Sequence, residues 1–264
     1  MPEILVIDIG NTRIACGLFA RGKILSQTHL PKLTLKGVAD LVRGRDLGGC
    51  VFASVVPAET AKLEKIWAKT GKGPICRLNW EVVGAALRNK IKVLKMTPGD
   101  DRAANAYLLS KRGLFPAVSV DAGTALTAEV LDSGGVFLGG LIAPGEALQR
   151  ESLQGRTAQL KDLGKSGLRK LVGNTSEAAI TAGVEGLAVL GLLGWLAETE
   201  KEVLRKKFRA VVFTGGGAEL YYKAAKKRFP SASLEPNFTL KALGFSFYDE
   251  KMRKLFAKLQ NVRF

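Results

Sequence analysis

Apolar and polar positions alternate in blocks along this chain, and one block pattern occurs twice. Ile4-Leu5-Val6-Ile7 is an apolar run that enters Asp8-Ile9-Gly10-Asn11-Thr12. A second apolar stretch covers 14–19, Arg21-Gly22-Lys23 makes a turn, and a third stretch starts at Ile24. Val118-Ser119-Val120 then enters Asp121-Ala122-Gly123-Thr124, followed by apolar 126–131, a turn over 132–135 and a further stretch over 136–138. Short apolar runs bounded by turn residues predict buried strands. A strand, an Asp-x-Gly turn and a returning hairpin, seen twice, predict two similar α/β domains. The turn Gly113-Leu114-Phe115-Pro116 is the natural division, giving domains 1–114 and 115–264.

Helical patterns fill the intervals. Thr97 as N-cap, Pro98 at the first position and Gly113 beyond the last turn predict a helix that carries Asp100 and Asp101 in its first turn. Asn174-Thr175-Ser176-Glu177 reads as a capped start for a helix over 175–198, in which Gly183, Gly186, Gly191 and Gly194 fall on one stripe. That stripe suits close packing, either within the subunit or between two copies. Within it, 178–197 carries Glu185 as its only charge, and its Ala and Gly content favours a buried helix over a membrane span. Val211-Val212-Phe213 predicts a buried strand, followed by Thr214-Gly215-Gly216-Gly217 and a helix over 218–228.

The turns have readable chemistry. Gly10 and Gly123 allow close backbone approach or positive φ. Asn11, Thr12 and Thr124 offer short donors suited to phosphate oxygens, and aspartates at the strand ends suit a cation beside them. One such turn is ordinary turn composition; two, each on an apolar strand before a hairpin, point to phosphate binding. The Gly-rich turn before the 218–228 helix adds a place for a flat ligand and an anion-favouring helix start.

Charge and composition narrow the classes. Lys and Arg number 40 against 24 Asp and Glu, a formal net charge of +16. Such a surplus favours anionic partners without specifying one. Aromatic residues at 7% form no stacking pattern, so nucleic acid is not an expected partner. Cys16, Cys50 and Cys76 form no C-x-x-C pair, and His29 is the single histidine, so a His/Cys metal centre has no support and reduced thiols are expected. No basic, then apolar leader opens the chain, and the expectation is a cytoplasmic protein with no membrane association.

Six stretches carry a family resemblance, in order: D-I-G-N-T at 8–12, G-D-D-R-A-A-N-A at 99–106, V-D-A-G-T-A-L-T at 120–127, G-G-L-I-A-P-G at 139–145, G-N-T-S-E-A at 173–178 and T-G-G-G at 214–217. The chain resembles the superfamily of acetate and sugar kinases, heat-shock chaperones and actin, and within it the type III pantothenate kinases. The resemblance implies an α/β fold of two similar actin-like (ribonuclease H-like) domains, each a mixed sheet flanked by helices. It implies an ATP-dependent kinase that phosphorylates the primary hydroxyl of pantothenate, the first step of coenzyme A biosynthesis, with Mg²⁺ and a monovalent cation, K⁺ or NH₄⁺, and a homodimer. Asp8, Ile9, Gly10, Asn11, Thr12, Arg13, Ile14 and Ala15 would wrap the ATP phosphates, with Asp8 orienting Mg-ATP. Thr124, Gly215 and Gly216 would contact the nucleotide. Asp121 would hold the monovalent cation. Asp101 would be the catalytic base, and Gly99, Asp100, Asp101, Arg102 and Thr175 would line the pantothenate site.

The first-turn position alone also accounts for Asp100 and Asp101 through the helix dipole. The chain departs from the family pattern in two places: 91–98 lacks the usual tyrosine, and Asp100 stands where a small apolar residue is usual. The alternative is a catalytically weak or inactive nucleotide-binding regulatory protein on the same fold, similar to transcription accessory factors. The presence of Asp8, Asp101 and Asp121 together favours the enzyme.

Overall fold

The structure, a computed structural model, describes residues 2–71, 73–87, 98–156 and 171–264. The chain forms two compact units, Met1–Gly113 with Asn237–Phe264, and Leu114–Pro236. The division therefore differs from the expected one. The last helices do not continue the second half but pack on the strands of the first, because their apolar faces cover that sheet.

In the first unit, β1 (Glu3–Ile9), β2 (Ile14–Ala20) and β3 (Lys23–Leu30) form an antiparallel meander. Helix α1 (Leu35–Val42) leads to β4 (Leu47–Ser54), and α2 (Pro57–Thr70) to β5 (Ile75–Arg77). β4 lies parallel to both β1 and β5, giving the order β3-β2-β1-β4-β5. α3 (Trp80–Leu87) and α4 (Asp100–Arg112) follow.

The second unit repeats the plan. β6 (Ala117–Ala122), β7 (Ala125–Leu131) and β8 (Phe137–Pro144) form the meander, α5 (Glu146–Arg156) follows, and β9 (Ala210–Thr214) and β10 (Ala232–Leu234) add in parallel. The order β10-β9-β6-β7-β8 is the first sheet's order over again. Two mixed five-stranded sheets with flanking helices constitute the actin-like fold. The hairpins lie where the alternation places them, and β8 continues through Gly139 and Gly140 to Pro144.

α6 (Ser176–Thr181) passes through a π-helical stretch, Ala182–Gly186, into α7 (Leu187–Glu198) and a second π stretch, Thr199–Leu204. These wide turns break the regular 100° spacing, so the glycines do not share one stripe. Gly186 is buried, whereas a Cβ at Gly183, Gly191 or Gly194 would meet open space. The Ser176–Leu204 run is long and apolar enough to cross a membrane by length and composition. Val189, Leu192 and Leu196 nonetheless sit in the second unit's core, while Leu187 and Leu190 are exposed, so the helix is buried on one face only. Glu185 in the π stretch accepts from Arg150 of α5 at 2.8 Å, and Glu146 accepts from the same guanidinium at 2.9 Å. α8 (Ala218–Ala225) stops short of the expected 228.

α9 (Phe238–Tyr248) and α10 (Glu250–Gln260) complete the first unit. α9 packs on β1, β2, β4 and α4. Gly244 makes this approach possible, since a Cβ there would lie 2.2 Å from the Phe19 ring. The three cysteines are buried and free, and burial pushes Cys16 and Cys76 up to about 12.

Candidate active site

The first unit's candidate residues lie at the carboxyl end of its central strand β1 and at the start of α4. Asp8 is the penultimate residue of β1, paired with Ala15 on β2 and Ala53 on β4. The hairpin closes with the Gly10 N–H donating to the Arg13 carbonyl at 3.1 Å, leaving Asn11, Thr12 and Arg13 exposed at the tip and Ile14 anchored in the core. Gly10 serves through close approach to that carbonyl; neither Gly10 nor Gly123 adopts positive φ.

The start of α4 adjoins this hairpin through Val55. Its N–H donates to the Ile9 carbonyl at 3.1 Å, and a Cβ at Gly99 would lie 2.9 Å from its side chain. Thr97 lies outside the described residues. The helix begins at Asp100 with Gly99 as N-cap, so Pro98 precedes the helix instead of opening it.

Asp100 and Asp101 face different surroundings. Asp100 is buried, and its Oδ2 accepts from Arg77 Nε at 2.7 Å and from the Ser54 N–H at 3.2 Å. It therefore does more than complement the helix dipole: it ties α4 to the ends of β4 and β5. Burial raises its carboxyl pKa, and the Arg77 bond pulls in the opposite direction. Asp101 accepts from the Arg102 N–H at 2.8 Å, and no lysine or arginine side chain forms an ion pair with it among the described residues. Burial raises its pKa above the ordinary carboxylate value. A mostly desolvated carboxylate with lone pairs to spare is suited to accept a proton.

The second unit builds a corner from three turns. Asp121 is near the end of β6, opposite Thr127 on β7 and Thr214 on β9. The Gly145 N–H donates to the Thr124 carbonyl at 2.9 Å, and the Gly217 N–H to the Ala122 carbonyl at 2.9 Å. Gly215 has φ +92°, and a Cβ there would lie 2.3 Å from Asp121 Oδ1 and 2.7 Å from the Ala122 carbonyl oxygen. Only glycine fits that position. Asp121, Gly123, Thr124, Gly215 and Gly216 are thus brought together, with Thr124, Gly215 and Gly216 exposed for contact. Thr175 stands apart as the N-cap of α6, its Oγ1 accepting from the Ala178 N–H at 3.1 Å. The cap is Thr175 itself, and Glu177 falls one position short of a reciprocal bond.

Among the described residues no group of three or more His, Cys, Asp or Glu side chains could hold a metal ion. A divalent ion here would rest mainly on substrate phosphates with a single carboxylate such as Asp8, the usual manner for Mg²⁺.

Arg77 was not legible as a site residue, because its partner Asp100 lies 23 positions away and no local pattern joins them. The departing segment 91–97 lies outside the described residues.

A family model for type III pantothenate kinase matches residues 4–194. A type III pantothenate kinase of Dehalococcoides mccartyi is 30% identical over 85% of this chain and 90% of that protein. One from Persephonella marina is 30% identical over 83% of this chain and 89% of that protein. Among solved structures, a Campylobacter jejuni protein described as a Baf family transcriptional activator covers 98% of this chain and 100% of its own, with TM-score 0.60 and 19% identity. That likeness concerns the fold.

Proposed function

The chain belongs to the type III pantothenate kinase family, and from that premise we propose how its own residues transfer the γ-phosphoryl group of ATP to the primary hydroxyl of pantothenate. This phosphotransferase activity supplies coenzyme A biosynthesis; a non-catalytic regulatory role is not favoured. In our reading Asp8 and the hairpin through Ala15 handle the phosphates, and Thr124, Gly215 and Gly216 contact the nucleotide. Asp101 accepts the hydroxyl proton as the oxygen attacks phosphorus, while Gly99, Arg102 and Thr175 contact the acceptor. Most of the rate would come from positioning and charge neutralisation, as in phosphoryl transfer generally. Mg²⁺ would neutralise phosphate charge when bound.

The observation that carries the reading is Asp101: a mostly buried carboxylate with a raised pKa and no ion-pair partner among the described residues, next to a phosphate-type hairpin. ADP release should require pantothenate among a panel of small primary alcohols; equal turnover with unrelated alcohols would contradict the acceptor assignment.

Asp121, cradled by Gly123 and Gly215, is the proposed ligand of a monovalent cation, since clustered phosphates carry more charge than one divalent ion cancels. Activity should rise on replacing Na⁺ with K⁺ or NH₄⁺, and full activity in Na⁺ alone would remove that role. The exposed α7 face, with Leu187 at 68% and Leu190 at 52% exposure beside open Gly191 and Gly194, is the proposed homodimer surface. A cytoplasmic location fits a coenzyme A enzyme with buried, free thiols.

A further inference from the structure

A cleft of about 410 Å³ opens in the first unit at the carboxyl ends of β4 and β5, where Ser54 and Arg77 meet Gly99 and Asp100. The carboxyl ends of parallel strands are the usual place for a ligand in open α/β sheets. Arg77 is held at both ends. Its backbone N–H donates to Gln260 Oε1 at 2.9 Å and its carbonyl accepts from Gln260 Nε2 at 2.6 Å. Its Nε–H donates to Asp100, and one Nη2–H to the Ser54 carbonyl at 3.3 Å. A guanidinium has more N–H donors than these bonds use. The side chain is 37% exposed, and it lines the cleft.

Asn79 stands beside it on the same wall. Its Oδ1 accepts from the Val82 N–H at 3.1 Å, which leaves its amide N–H groups for the cleft. Val55 and Trp80 supply apolar surface. Glu81 also lines the cleft from an exposed position, and the Asp100 charge is matched by Arg77. The interior thus presents fixed donors, one of them cationic, beside a short apolar wall. That chemistry suits a small molecule with a carboxylate at one end. The cleft also shares Gly99 with the start of α4, next to the proposed base.

We propose that Arg77 is the specificity-determining residue of the acceptor site: it receives the acceptor's carboxylate, with the Asn79 amide alongside and the hydroxyl end lying toward the residues after Gly99. This rests on the acceptor reading above and deepens it, since that reading assigns nothing to β5. The role of Asp100 is then to hold the guanidinium in place.

The test compares pantothenate with panthenol, in which CH₂OH replaces the carboxylate, using the full chain. In Arg77→Gln the pantothenate KM should rise about 10- to 100-fold, the range for losing a hydrogen bond to a charged group. The panthenol KM and the ATP KM should stay within about twofold. Arg77→Lys should recover part of the preference, since it keeps the charge without the fork. Asp100→Asn keeps the guanidinium but loosens its hold, so it should lose part of the preference for the charged acceptor, less than Arg77→Gln does, with the panthenol KM again within about twofold. Equal loss toward both acceptors in Arg77→Gln would overturn the proposal and leave Arg77 a brace. A wild-type protein that phosphorylates neither acceptor overturns the acceptor reading itself, and this inference with it.

Discussion

Asp100 and Asp101 are neighbours in sequence with unlike surroundings. One is locked to Arg77 and the end of β4; the other has its pKa raised by burial, which local N–H groups and the Arg102 charge offset only in part. The G-D-D-R pattern marks both positions in the sequence, but only the fold separates them, because the Arg77 partner comes from another strand. Asp100→Asn consequently changes more than the helix dipole. It weakens an ion pair and should cost about 1–3 kcal/mol, measured by denaturant unfolding; unchanged stability would show the pair to be inconsequential. Gly215 was legible from its Gly-rich turn, whereas its reason, contact with Asp121, was not. Gly215→Ala must carry a Cβ against that carboxylate and should raise the ATP KM at least about tenfold, a loss of ~1.4 kcal/mol in binding. A normal nucleotide KM in a folded Gly215→Ala protein would contradict the crowded corner.

Elements whose apolar period is regular were legible: the two meanders follow from strand alternation closed by Gly turns. The π stretches flanking α7 were not, since they change the helical repeat without any residue that announces it. Nor was the return of α9 and α10 to the first unit, because their patterns say only that one face is apolar. That return braces α4. Asp249, the N-cap of α10, accepts from Tyr107 at 3.1 Å and from Lys111 at 2.7 Å, and Thr239 on α9 donates to Asn105 at 3.0 Å. Burial opposes the Asp249 charge, but Lys111 and the surrounding donors outweigh it, so its carboxyl titrates below the usual range. A lowered folded pKa gives stability that is present above the unfolded value and lost as pH falls through the folded one. Asp249→Ala should lose about 0.5–2 kcal/mol near neutral pH and show a shallower acid-side decline than wild type in melting experiments. Parallel acid-side curves would remove Asp249 from the brace.

At the scale of the molecule, the same sheet order occurs twice, and the net charge of +16 favours anionic ligands. The apolar stripe on α7 is its other large-scale feature. Gly191→Arg places a long cation in open space on that face, away from the core, so it should shift sedimentation toward monomer and lower activity together. A wild-type protein that is a fully active monomer would overturn the proposed dimer.

In the proposed mechanism Asp101 accepts the acceptor's proton. Its burial raises its pKa, so the acid limb of the pH–rate profile should lie above the ordinary value of 3.8, with activity growing as the carboxylate forms. The most direct measurement is pantothenate-dependent kcat for Asp101→Asn, which keeps the shape and removes the base. The account predicts a fall of about 10²- to 10⁴-fold, with ATP affinity unchanged because the hairpin at Asp8 and the corner at Asp121 are intact. A kcat within a fewfold of wild type would contradict it.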